Sequence, residues 1–260
     1  MKIVRQISEI IKTVNHCKSI GNTIGFIPTM GALHEGHVSL LNKSLEICDI
    51  SIVSIYVNPS QFNESLDFLN YPRNEITDIS ILKEAGCDVV FMPEVADIDS
   101  LELPGSVELG DLGNIMEGSN RPGHFKGVID VVYRLFSLVK PDKSFFGEKD
   151  FQQLMVIRKM VEYTNLNIEI VNCKILRESS GLAMSSRNAR LTPQGKSKAS
   201  KIYDILISSK FDSDSLKFNE LKRLGFEVEY LTQHKLGGFS RLFVAVWIEG
   251  VRLIDNIAID

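Results

Sequence analysis

The fold of this chain is decided by the stretch Gly25-Phe26-Ile27-Pro28-Thr29-Met30-Gly31-Ala32-Leu33-His34-Glu35-Gly36-His37. Its apolar beginning predicts a buried strand, its glycines a tight turn, and its end the first turn of a helix. Backbone N–H groups at a helix start lack partners within the helix, and the helix dipole makes that end positive, which favours a phosphate chain as ligand. His34 and His37 share one helix face, so both imidazoles can donate hydrogen bonds to the same phosphates.

The histidine pair is open to other interpretations. A zinc site needs at least a third protein ligand, and the cysteines are scattered without a C-x-x-C pair: Cys17, Cys48, Cys87 and Cys173. A purely structural pair is the ordinary interpretation on an amphipathic helix, although the preceding strand and glycine turn disfavour it here. The spacing from Gly31 to Gly36 lacks the Lys-Ser/Thr ending of a P-loop, which excludes that motif.

Composition limits the classes of function. The 260 residues are enough for one large domain or two modest ones, and 44% hydrophobic and 24% charged residues are ordinary for a soluble globular protein. A net charge of −4 provides no basic field for nucleic acid, and no apolar stretch reaches the length of a membrane span. Because there is no signal-peptide pattern and the cysteines are dispersed, we expect a cytoplasmic protein that binds neither nucleic acid nor membrane.

Strand and helix patterns alternate through the first two thirds of the chain. The predicted elements are a helix over 7–14, a strand over 23–27, a helix over 37–48, a strand over 50–57, a helix over 76–85, a strand over 88–92, a helix over 125–139, a strand over 143–146, a helix over 151–163 and a strand over 166–171. Such alternation predicts an α/β fold with a parallel sheet and helices on both faces. Ligands of such sheets bind beyond the carboxyl ends of the strands, at the topological switch point.

The pattern changes after Leu176. A turn-rich segment leads into one predicted helix over 196–208, and beyond Gly225 the apolar residues alternate with period two, as in strands. Glu249-Gly250 lies between two such runs and predicts a hairpin turn. We therefore expect two domains, a parallel α/β domain over 1–176 and a small α+β domain over 177–260.

Four further clusters carry chemistry. Asn58 and Gln61 follow the second predicted buried strand, where their amides suit a substrate rich in hydroxyl and carbonyl oxygens, although Asn-Pro is first of all a turn signal. Lys149 stands near a predicted helix start, where a cation suits phosphate, and of Gln152 and Gln153 only one can face a site there. The alternative is a capped helix with solvated charges.

The other two clusters are basic. Ser185, Ser186 and Arg187 lie in a glycine-containing loop whose hydroxyls and guanidinium can wrap a triphosphate, although a surface loop has the same composition. Arg121 and His124 precede a long helix, where they could hold an anion such as a carboxylate. A tight Pro-Gly turn explains that last cluster nearly as well.

Taken together and in order, these clusters resemble the pantothenate synthetase (pantoate–β-alanine ligase) family. The shared motifs are P-T-M-G-A-L-H-E-G-H at 28–37, V-N-P-S-Q-F at 57–62, Y-P-R at 71–73, R-P-G-H-F-K-G-V at 121–128, F-F-G-E-K-D-F-Q-Q-L at 145–154 and G-L-A-M-S-S-R-N at 181–188. The resemblance spans roughly residues 3–192. His34-Glu35-Gly36-His37 is similar to the HIGH signature of nucleotidyl transferases, and Met184-Ser185-Ser186-Arg187 to the KMSKS loop.

The resemblance implies a fold, a reaction and partners. The fold is a Rossmann-like parallel sheet of the HIGH-type nucleotidyl transferase kind, with the C-terminal α+β domain as a lid. The reaction is the condensation of (R)-pantoate with β-alanine through a pantoyl adenylate, with ATP as a substrate and Mg²⁺ on its triphosphate. The family also implies a homodimer.

The resemblance also assigns roles to residues. The catalytic set is His34, His37 and Lys149, with His37 also a candidate proton donor. The ATP-binding set is Met30, Gly31, Ala32, Leu33, His34, Glu35, Gly36, His37, Gly147, Glu148, Lys149, Asp150, Leu176, Met184, Ser185, Ser186 and Arg187. The substrate-binding set is Gln61, Gln153, Asn58, Arg121 and His124. No protein residue is assigned as a metal ligand.

One region departs from the family pattern, and two rival functions stay open. Few residues separate the helix near Ile202 from the strand near Phe226, which leaves the size and closure of the lid open, while Arg252-Leu253-Ile254-Asp255-Asn256 resembles the family's ending. The first rival is another nucleotidyl transferase with a phosphate-bearing acceptor, which Gln61 and Gln153 disfavour. The second is a non-catalytic nucleotide-binding module, which would be expected to have lost a histidine or Lys149.

Overall fold

The computed structural model describes residues 1–62, 68–69, 71–208 and 213–259. The chain divides into two compact units. The first unit contains the described residues of Met1–Gly147 and Gln152–Cys173, and the second contains those of Glu148–Phe151 and Lys174–Asp260.

The first unit is built from alternating strands and helices. In chain order these are β1 (Lys2–Val4), α1 (Ile7–Ser19), β2 (Ile24–Thr29), α2 (Glu35–Ile47), β3 (Ile50–Ile55), α3 (Glu75–Glu84), β4 (Val89–Phe91), α4 (Val95–Asp99), α5 (Met116–Asn120), α6 (His124–Val139), β5 (Lys143–Gly147), α7 (Phe151–Tyr163, from Gln152 onward) and β6 (Glu169–Cys173). Short 3₁₀ turns lie at Pro59–Gln61 and Gly110–Gly113.

The strands of the first unit form a parallel sheet. Within the described residues the sheet has six strands in the order β1-β4-β3-β2-β5-β6. Ile24 of β2 pairs with Ile50 of β3, and Gly25 of β2 pairs with Lys143 of β5. The strand order reverses direction between β2 and β5, which is the topological switch point of this sheet. The loop after β2 therefore lies where ligands of such sheets bind.

Helices cover both faces of this sheet. On one face, Phe26 of β2 and Phe146 of β5 meet Phe136 of α6 edge-on, with ring centroids 6.2 and 6.5 Å apart. On the other face, a core cluster joins Ile27 of β2 to Leu41 of α2. Strands that are apolar on both faces are expected in a covered parallel sheet.

The second unit is an antiparallel sheet with helices. Its elements are a 3₁₀ turn at Glu148–Asp150, a 3₁₀ turn at Ser186–Arg190, α8 (Pro193–Ala199), α9 (Lys201–Ile207), α10 (Asp214–Arg223), β7 (Glu227–Leu236), β8 (Phe239–Ile248) and β9 (Val251–Ala258). Within the described residues the sheet has three strands in the order β7-β8-β9. Its core joins Ile202, Leu206 and Leu221 of the helices to Val244 and Val246 of β8.

The fold class predicted from the sequence is confirmed: an α/β unit with a parallel sheet and a small α+β unit. The hairpin at Glu249-Gly250 is also confirmed, with φ of 52° and 70° at the two residues, as the tightest hairpin turns require. The strand β1 and the helices α4, α5 and α10 were not predicted. β1 has only three residues, too few to show a period.

The predicted single helix over 196–208 is wrong, because α8 and α9 are separated at Ser200. The Ser200 hydroxyl donates a hydrogen bond to the Ser197 carbonyl (2.8 Å), which competes with the helical backbone bonds. The helix also begins earlier than predicted, because Thr192 caps it by accepting from the Gly195 N–H (3.0 Å) and Pro193 suits a first helical position.

The expected domain boundary at 176/177 stays a prediction, and the division between the two compact units lies close to it. The second unit begins at Lys174 and also includes Glu148–Phe151. The reason is a set of hydrogen bonds: the Asn256 side chain of β9 donates to the backbone carbonyls of Glu148 and Lys149, 3.0 Å from each. Among the described residues, no helix has the length and hydropathy needed to cross a membrane.

Candidate active site

The loop that follows β2 is fixed by a buried carboxylate. Asp78 of α3, only 2% exposed, accepts the backbone N–H groups of Ala32 (2.9 Å) and Leu33 (2.8 Å) with its two oxygens. The Thr29 hydroxyl at the end of β2 donates to the Ser54 carbonyl (2.7 Å) and accepts from the Gly31 N–H (3.2 Å). The N–H groups of residues 31–33 thus each have a defined acceptor, which holds the turn in one conformation as it enters α2.

This turn requires unusual backbone angles. Gly31 has φ of +76° and Ala32 has φ of +49°. A side chain at position 31 would place its Cβ 2.9 Å from Asp78 Oδ2, closer than real contacts allow. A positive φ at a residue other than glycine costs about 1–3 kcal/mol, and the hydrogen bond from Ala32 to Asp78 offsets that cost.

The two histidines cap helix α2 reciprocally. The Gly36 N–H donates to His34 Nδ1 (3.1 Å), and the His34 N–H donates to His37 Nδ1 (3.3 Å). The imidazole centroids are 4.1 Å apart. A ring nitrogen that accepts a hydrogen bond carries no proton, so each neutral imidazole carries its proton on Nε2. The cap therefore presets both rings as Nε2–H donors at the positive end of α2.

The 3₁₀ turn after β3 carries Gln61 and is organised by Asn58. Asn58 is 3% exposed, accepts from the Ser60 hydroxyl (2.9 Å) and donates to the Gly127 carbonyl (3.0 Å) and the Gln61 side-chain oxygen (3.4 Å). The Gln61 side-chain nitrogen contacts the Met30 sulfur. The first unit thus brings Asn58 and Gln61 together with Met30, the first residue of the β2 turn.

Arg121 and His124 hold the backbone of that turn. His124 Nδ1 donates to the Gln61 carbonyl (2.8 Å), and Arg121 donates to the same carbonyl (3.3 Å) and to His124 Nε2 (3.0 Å). Arg121 also contacts the Glu117 carboxylate (3.4 Å). These contacts hold the Gln61 backbone in place, while the predicted contact of both residues with substrate stays a prediction.

Helix α6 approaches this turn so closely that it requires glycine at one point. A Cβ on Gly127 would lie 2.6 Å from the Ser60 carbonyl oxygen and 3.0 Å from Gln61 Cα. Any larger residue at 127 would push the Gln61 turn away from α6.

The two neighbouring glutamines of α7 have different surroundings. Gln152 is buried, accepts from the Glu117 N–H (3.0 Å) and donates to the carbonyls of Leu112 (2.8 Å) and Ile115 (2.9 Å). Gln153 is half-buried, and its amide has no hydrogen-bond partner among the residues the structure describes. Gln152 therefore holds the 110–117 segment, while Gln153 is the glutamine available to a ligand.

In the second unit, Lys149 lies on the 3₁₀ turn Glu148–Asp150. Its ammonium lies 3.6 Å from the Asp150 carboxylate, and its side chain is 19% exposed. Glu148 accepts from Arg241 of β8 (2.6 Å). The turn follows β5 directly in the chain, since Gly147 is the last residue of that strand.

The loop that contains Ser185, Ser186 and Arg187 is also ordered within the second unit. Ser185 caps the following 3₁₀ turn by accepting the Arg187 N–H (3.3 Å), and the Met184 N–H donates to the Leu176 carbonyl (3.0 Å). Asn188, which is buried, donates to the Glu178 carboxylate (3.0 Å) and the Ala183 carbonyl (3.1 Å). The loop therefore has a defined conformation that depends on residues between 176 and 188.

Similarity to known proteins extends over the whole chain. A sequence model of the family described as Pantoate-beta-alanine ligase matches residues 2–258. The chain belongs to the pantoate–β-alanine ligase family. It is 46% identical to the pantothenate synthetase of Porphyromonas gingivalis over 99% of each chain. It is 43% identical to that of Christiangramia forsetii over 100% of each chain.

Solved structures of pantoate–β-alanine ligases share this fold. The ligase from Francisella tularensis, complexed with beta-gamma ATP and beta-alanine, has a TM-score of 0.89 at 39% identity, covering 99% of this chain and 97% of that one. The pantothenate synthetase of Thermus thermophilus has a TM-score of 0.89 at 34% identity, with 99% of each chain covered. The family resemblance read from the motifs is therefore confirmed, and it includes the C-terminal region that the motifs left open.

Sequence reasoning about this ligase missed residues that shape the site from a distance. Asp78, Gly127 and Asn256 are distant in the chain from the turns that they contact, and the sequence assigned none of them a role there. Asp78 lies in a helix whose charged residues look solvent-facing, although Gly31 and Ala32 in the turn indicate that a buried acceptor is needed.

Within the described residues, no group of three or more His, Cys, Asp or Glu is arranged to hold a metal ion.

Replacing Asp78 by asparagine is expected to leave one backbone N–H of the turn without an acceptor, which lowers the free energy of unfolding by about 1–3 kcal/mol. Because the turn is assigned to ATP, the KM for ATP should rise about tenfold. Burial raises the pKa of the Asp78 carboxyl above 3.8, although the Leu33 and Ala32 N–H groups oppose the shift. The folded protein therefore binds more protons than the unfolded chain just above pH 3.8, and its stability from this group falls as pH rises to the raised pKa.

Chemical unfolding between pH 3.5 and 8, in steps of about 0.5 pH units, checks the predicted pH dependence of stability. The free energy of unfolding of the wild type minus that of the Asp78→Asn variant should fall as pH rises from 3.8 through the raised pKa of Asp78, and it should be constant at higher pH. Asp97→Asn, an exposed exchange on α4, is the matched control and should show no such change. A difference that rises with pH would contradict the assigned burial of Asp78.

Proposed function

We propose that this chain condenses (R)-pantoate with β-alanine at the expense of ATP, through a pantoyl adenylate. The observation that carries the proposal is the family match over residues 2–258. The complex of the Francisella tularensis relative with beta-gamma ATP and beta-alanine supports two of the three substrates. The third, pantoate, follows from the family's name and from the amides of Gln61 and Gln153.

The chemistry requires two steps. A pantoate carboxylate oxygen attacks the α-phosphorus of ATP, the bond to the bridging oxygen breaks, and pyrophosphate leaves. The β-alanine amine then attacks the acyl carbon of the adenylate, the carbon–oxygen bond breaks, AMP leaves, and the nitrogen releases a proton. Adenylation is needed because a carboxylate oxygen is a poor leaving group. Alignment of the reactants supplies about 7–11 kcal/mol of the barrier reduction in favourable cases.

The capped histidine pair suits the first step. His34 and His37 are preset as Nε2–H donors at a positive helix end, and negative charge builds on the phosphates as the α-phosphorus is attacked. We assign them to bind the phosphates, with His37 also a candidate proton donor. The ATP-binding role of the β2 turn, from Met30 to His37, has the same basis, because its backbone is fixed by Asp78 and Thr29.

The second unit supplies the remaining phosphate ligands in this proposal. Lys149 neutralises the transferring phosphate, and Ser185, Ser186 and Arg187 close over the triphosphate. Gly147, Glu148, Asp150, Leu176 and Met184 are assigned to ATP with them on the family resemblance. The domain expected over 1–176 is assigned to bind ATP and pantoate, and the domain expected over 177–260 is assigned as a lid.

The acid is assigned to the amides of Gln61 and Gln153. Gln61 is held by Asn58, Arg121 and His124, so those three act on the substrate through Gln61. Asn58, Arg121 and His124 stay predicted substrate contacts, although the hydrogen bonds on their side chains favour the positioning role.

Replacing Gln153 by alanine is expected to raise the KM for pantoate about tenfold or more, since a site built to hydrogen-bond its substrate loses that energy when a partner is removed. The KM for ATP should change less. Steady-state kinetics with each substrate varied in turn measure both. Gln152→Ala is the contrast: it should lower the free energy of unfolding by about 1–3 kcal/mol and spare the KM for pantoate. A larger effect on ATP than on pantoate at Gln153 would place the acid elsewhere.

Three further properties are part of the proposal. Magnesium is proposed to bind as the MgATP complex. Phosphate oxygens and water would supply most of its ligands, because Mg²⁺ is usually bound by only one or two protein carboxylates. A homodimer is proposed from the family alone. A cytoplasmic location is proposed because all four cysteines are free thiols, as is usual in a reducing compartment.

Exchange of labelled pyrophosphate into ATP tests the function. The proposal requires exchange that depends on pantoate and needs no β-alanine. Exchange with a different acid would identify a related ligase, and transfer to a phosphate-bearing acceptor would identify another nucleotidyl transferase. Nucleotide binding without any exchange would identify a non-catalytic module and refute the proposal.

A further inference from the structure

The end of β9 contains two buried polar residues that the reaction does not use. Asn256 is 1% exposed, and every polar atom of its side chain is bonded: its nitrogen donates to the carbonyls of Glu148 and Lys149 (3.0 Å each), and its oxygen accepts from Arg241 (2.5 Å). Burial of an amide is costly unless it is fully hydrogen-bonded. Here both polar atoms of the Asn256 side chain bond either to the turn that carries Lys149 or to Arg241, which binds the same turn.

Asp255, the preceding residue, serves a different loop. Its carboxylate, 5% exposed, forms a two-point ion pair with the Arg177 guanidinium (2.6 and 2.9 Å). Arg177 also donates to the Gly181 carbonyl (3.1 Å) and lies 3.7 Å from the centre of the Tyr203 ring. The Asp255 carboxylate thereby fixes the beginning of the loop that contains Ser185, Ser186 and Arg187.

Arg241 of β8 completes the arrangement. Its guanidinium donates to the Glu148 carboxylate (2.6 Å) and lies 4.2 Å from the centre of the Phe151 ring. Arg241 is buried, and its charge is balanced by Glu148. Breaking a buried charge pair from one side leaves an uncompensated charge, so the turn is held at a fixed place on β8.

We propose that Asp255, Asn256 and Arg241 are positioning residues for adenylation. From the strand pair β8–β9, they set the position and orientation of Lys149 and of the loop over 177–188. This inference depends on the proposed function, because it assumes that Lys149 and the loop bind the triphosphate. Successive side chains of a strand point to opposite faces, so one dipeptide, Asp255-Asn256, can serve two loops. The strand pair acts as a common frame for two phosphate-binding segments.

A frame of this kind is needed because Lys149 lies on a short turn. A 3₁₀ turn of three residues has few backbone bonds of its own. A catalytic cation must be placed to within a fraction of an ångström, and a misplacement of about 1 Å can cost a hundredfold in rate. The two carbonyl contacts from Asn256 fix the backbone on both sides of the Lys149 Cα.

Asn256→Asp tests the frame with minimal change in shape. The remaining oxygen can still accept from Arg241, but a carboxylate oxygen now faces two carbonyl oxygens, which repel it. We expect the maximal rate of pantoate-dependent exchange to fall about ten- to a hundredfold. The KM for pantoate should stay within about twofold, since the Gln153 contact is not involved. Asn256→Ala, which removes both donors without adding charge, should lower the rate in the same way.

A double-mutant cycle distinguishes a role of Asn256 in positioning Lys149 from a purely structural role. If Asn256 acts through Lys149, Asn256→Asp has no further effect on the rate when Lys149 is already alanine. Asn219→Asp on α10, an exposed residue with the same change in charge, is the matched control and should keep the wild-type rate. Thermal unfolding of each variant gives the folded fraction, so that rates are compared per folded molecule.

Two outcomes would overturn the inference. The first is that folded Asn256→Asp and Asn256→Ala exchange at the wild-type rate. The second is that the rate loss of Asn256→Asp multiplies with that of Lys149→Ala in the double variant. Both differ from failure of the proposed function, in which the wild type itself shows no pantoate-dependent exchange. A wild type that exchanges and a Lys149→Ala variant that does not would leave the function in place whichever way the Asn256 variants behave.

Discussion

Replacing Lys149 by alanine lowers the rate of pantoate-dependent exchange between pyrophosphate and ATP about a hundredfold or more. Loss of one group that stabilises developing charge costs about 10²–10³ in rate. The Lys149 ammonium is largely shielded from solvent, with 19% of its side chain exposed, and it forms an ion pair with Asp150 at 3.6 Å. Shielding from water strengthens the attraction between an ammonium and a phosphate.

The loss should fall on the rate more than on binding. Charge that appears during attack on phosphorus is felt in the transition state, so the maximal rate should drop while the KM for pantoate changes little. Lys201→Ala, which removes an exposed cation paired with Asp204, is the control in the same unit. A near-normal exchange rate for Lys149→Ala would remove Lys149 from the mechanism.

The sequence was sufficient where the signal is local. The apolar run from Ile24 to Ile27 and the turn at Gly31 predict β2 and its exit, since both depend on neighbouring residues only. Glu249-Gly250 predicts its hairpin for the same reason, because two adjacent residues must adopt positive φ. The motif order predicts the family, and the family match over 2–258 confirms it.

Sequence reasoning was insufficient where one segment is held by another that is distant in the chain. Asp78 binds Ala32 across 46 residues, and Asn256 binds Glu148 across 108. An aspartate or asparagine that is buried in the fold is the same residue type as one that is exposed to solvent. The pattern of a single sequence therefore does not distinguish buried polar residues from exposed ones. Such long-range hydrogen bonds also place Glu148–Phe151 in the second compact unit, because Asn256 of β9 bonds to the backbone of this segment.

The adjacent glutamines of α7 show the same limit on a small scale. A helix directs successive side chains about 100° apart, so the sequence predicts that only one of Gln152 and Gln153 faces a site. Which one does so depends on the 110–117 segment, whose carbonyls bind Gln152. That segment has no periodic pattern, so its place against α7 could not be derived from the sequence.

Replacing His34 by asparagine is expected to separate the two tasks of this residue. The His34 imidazole caps helix α2 through Nδ1, and by our proposal it binds phosphate through Nε2. Asparagine is among the best N-cap residues, and its side-chain oxygen can accept the Gly36 N–H in place of Nδ1. It has no atom at the position of Nε2. The free energy of unfolding should therefore stay within about 0.5 kcal/mol of the wild type, while the exchange rate falls about 10²–10³-fold.

His34→Ala removes the cap together with the donor. Its exchange rate should match that of His34→Asn, but its free energy of unfolding should be lower by about 1 kcal/mol, the usual cost of a lost N-cap. Exchange assays and urea unfolding of both variants measure the two effects, with His16→Asn at the exposed end of α1 as the control. Full exchange activity in His34→Asn would mean that the imidazole serves the helix alone. The phosphate would then have to be bound by His37 and the backbone N–H groups of the turn, and the paired-imidazole mechanism would be wrong.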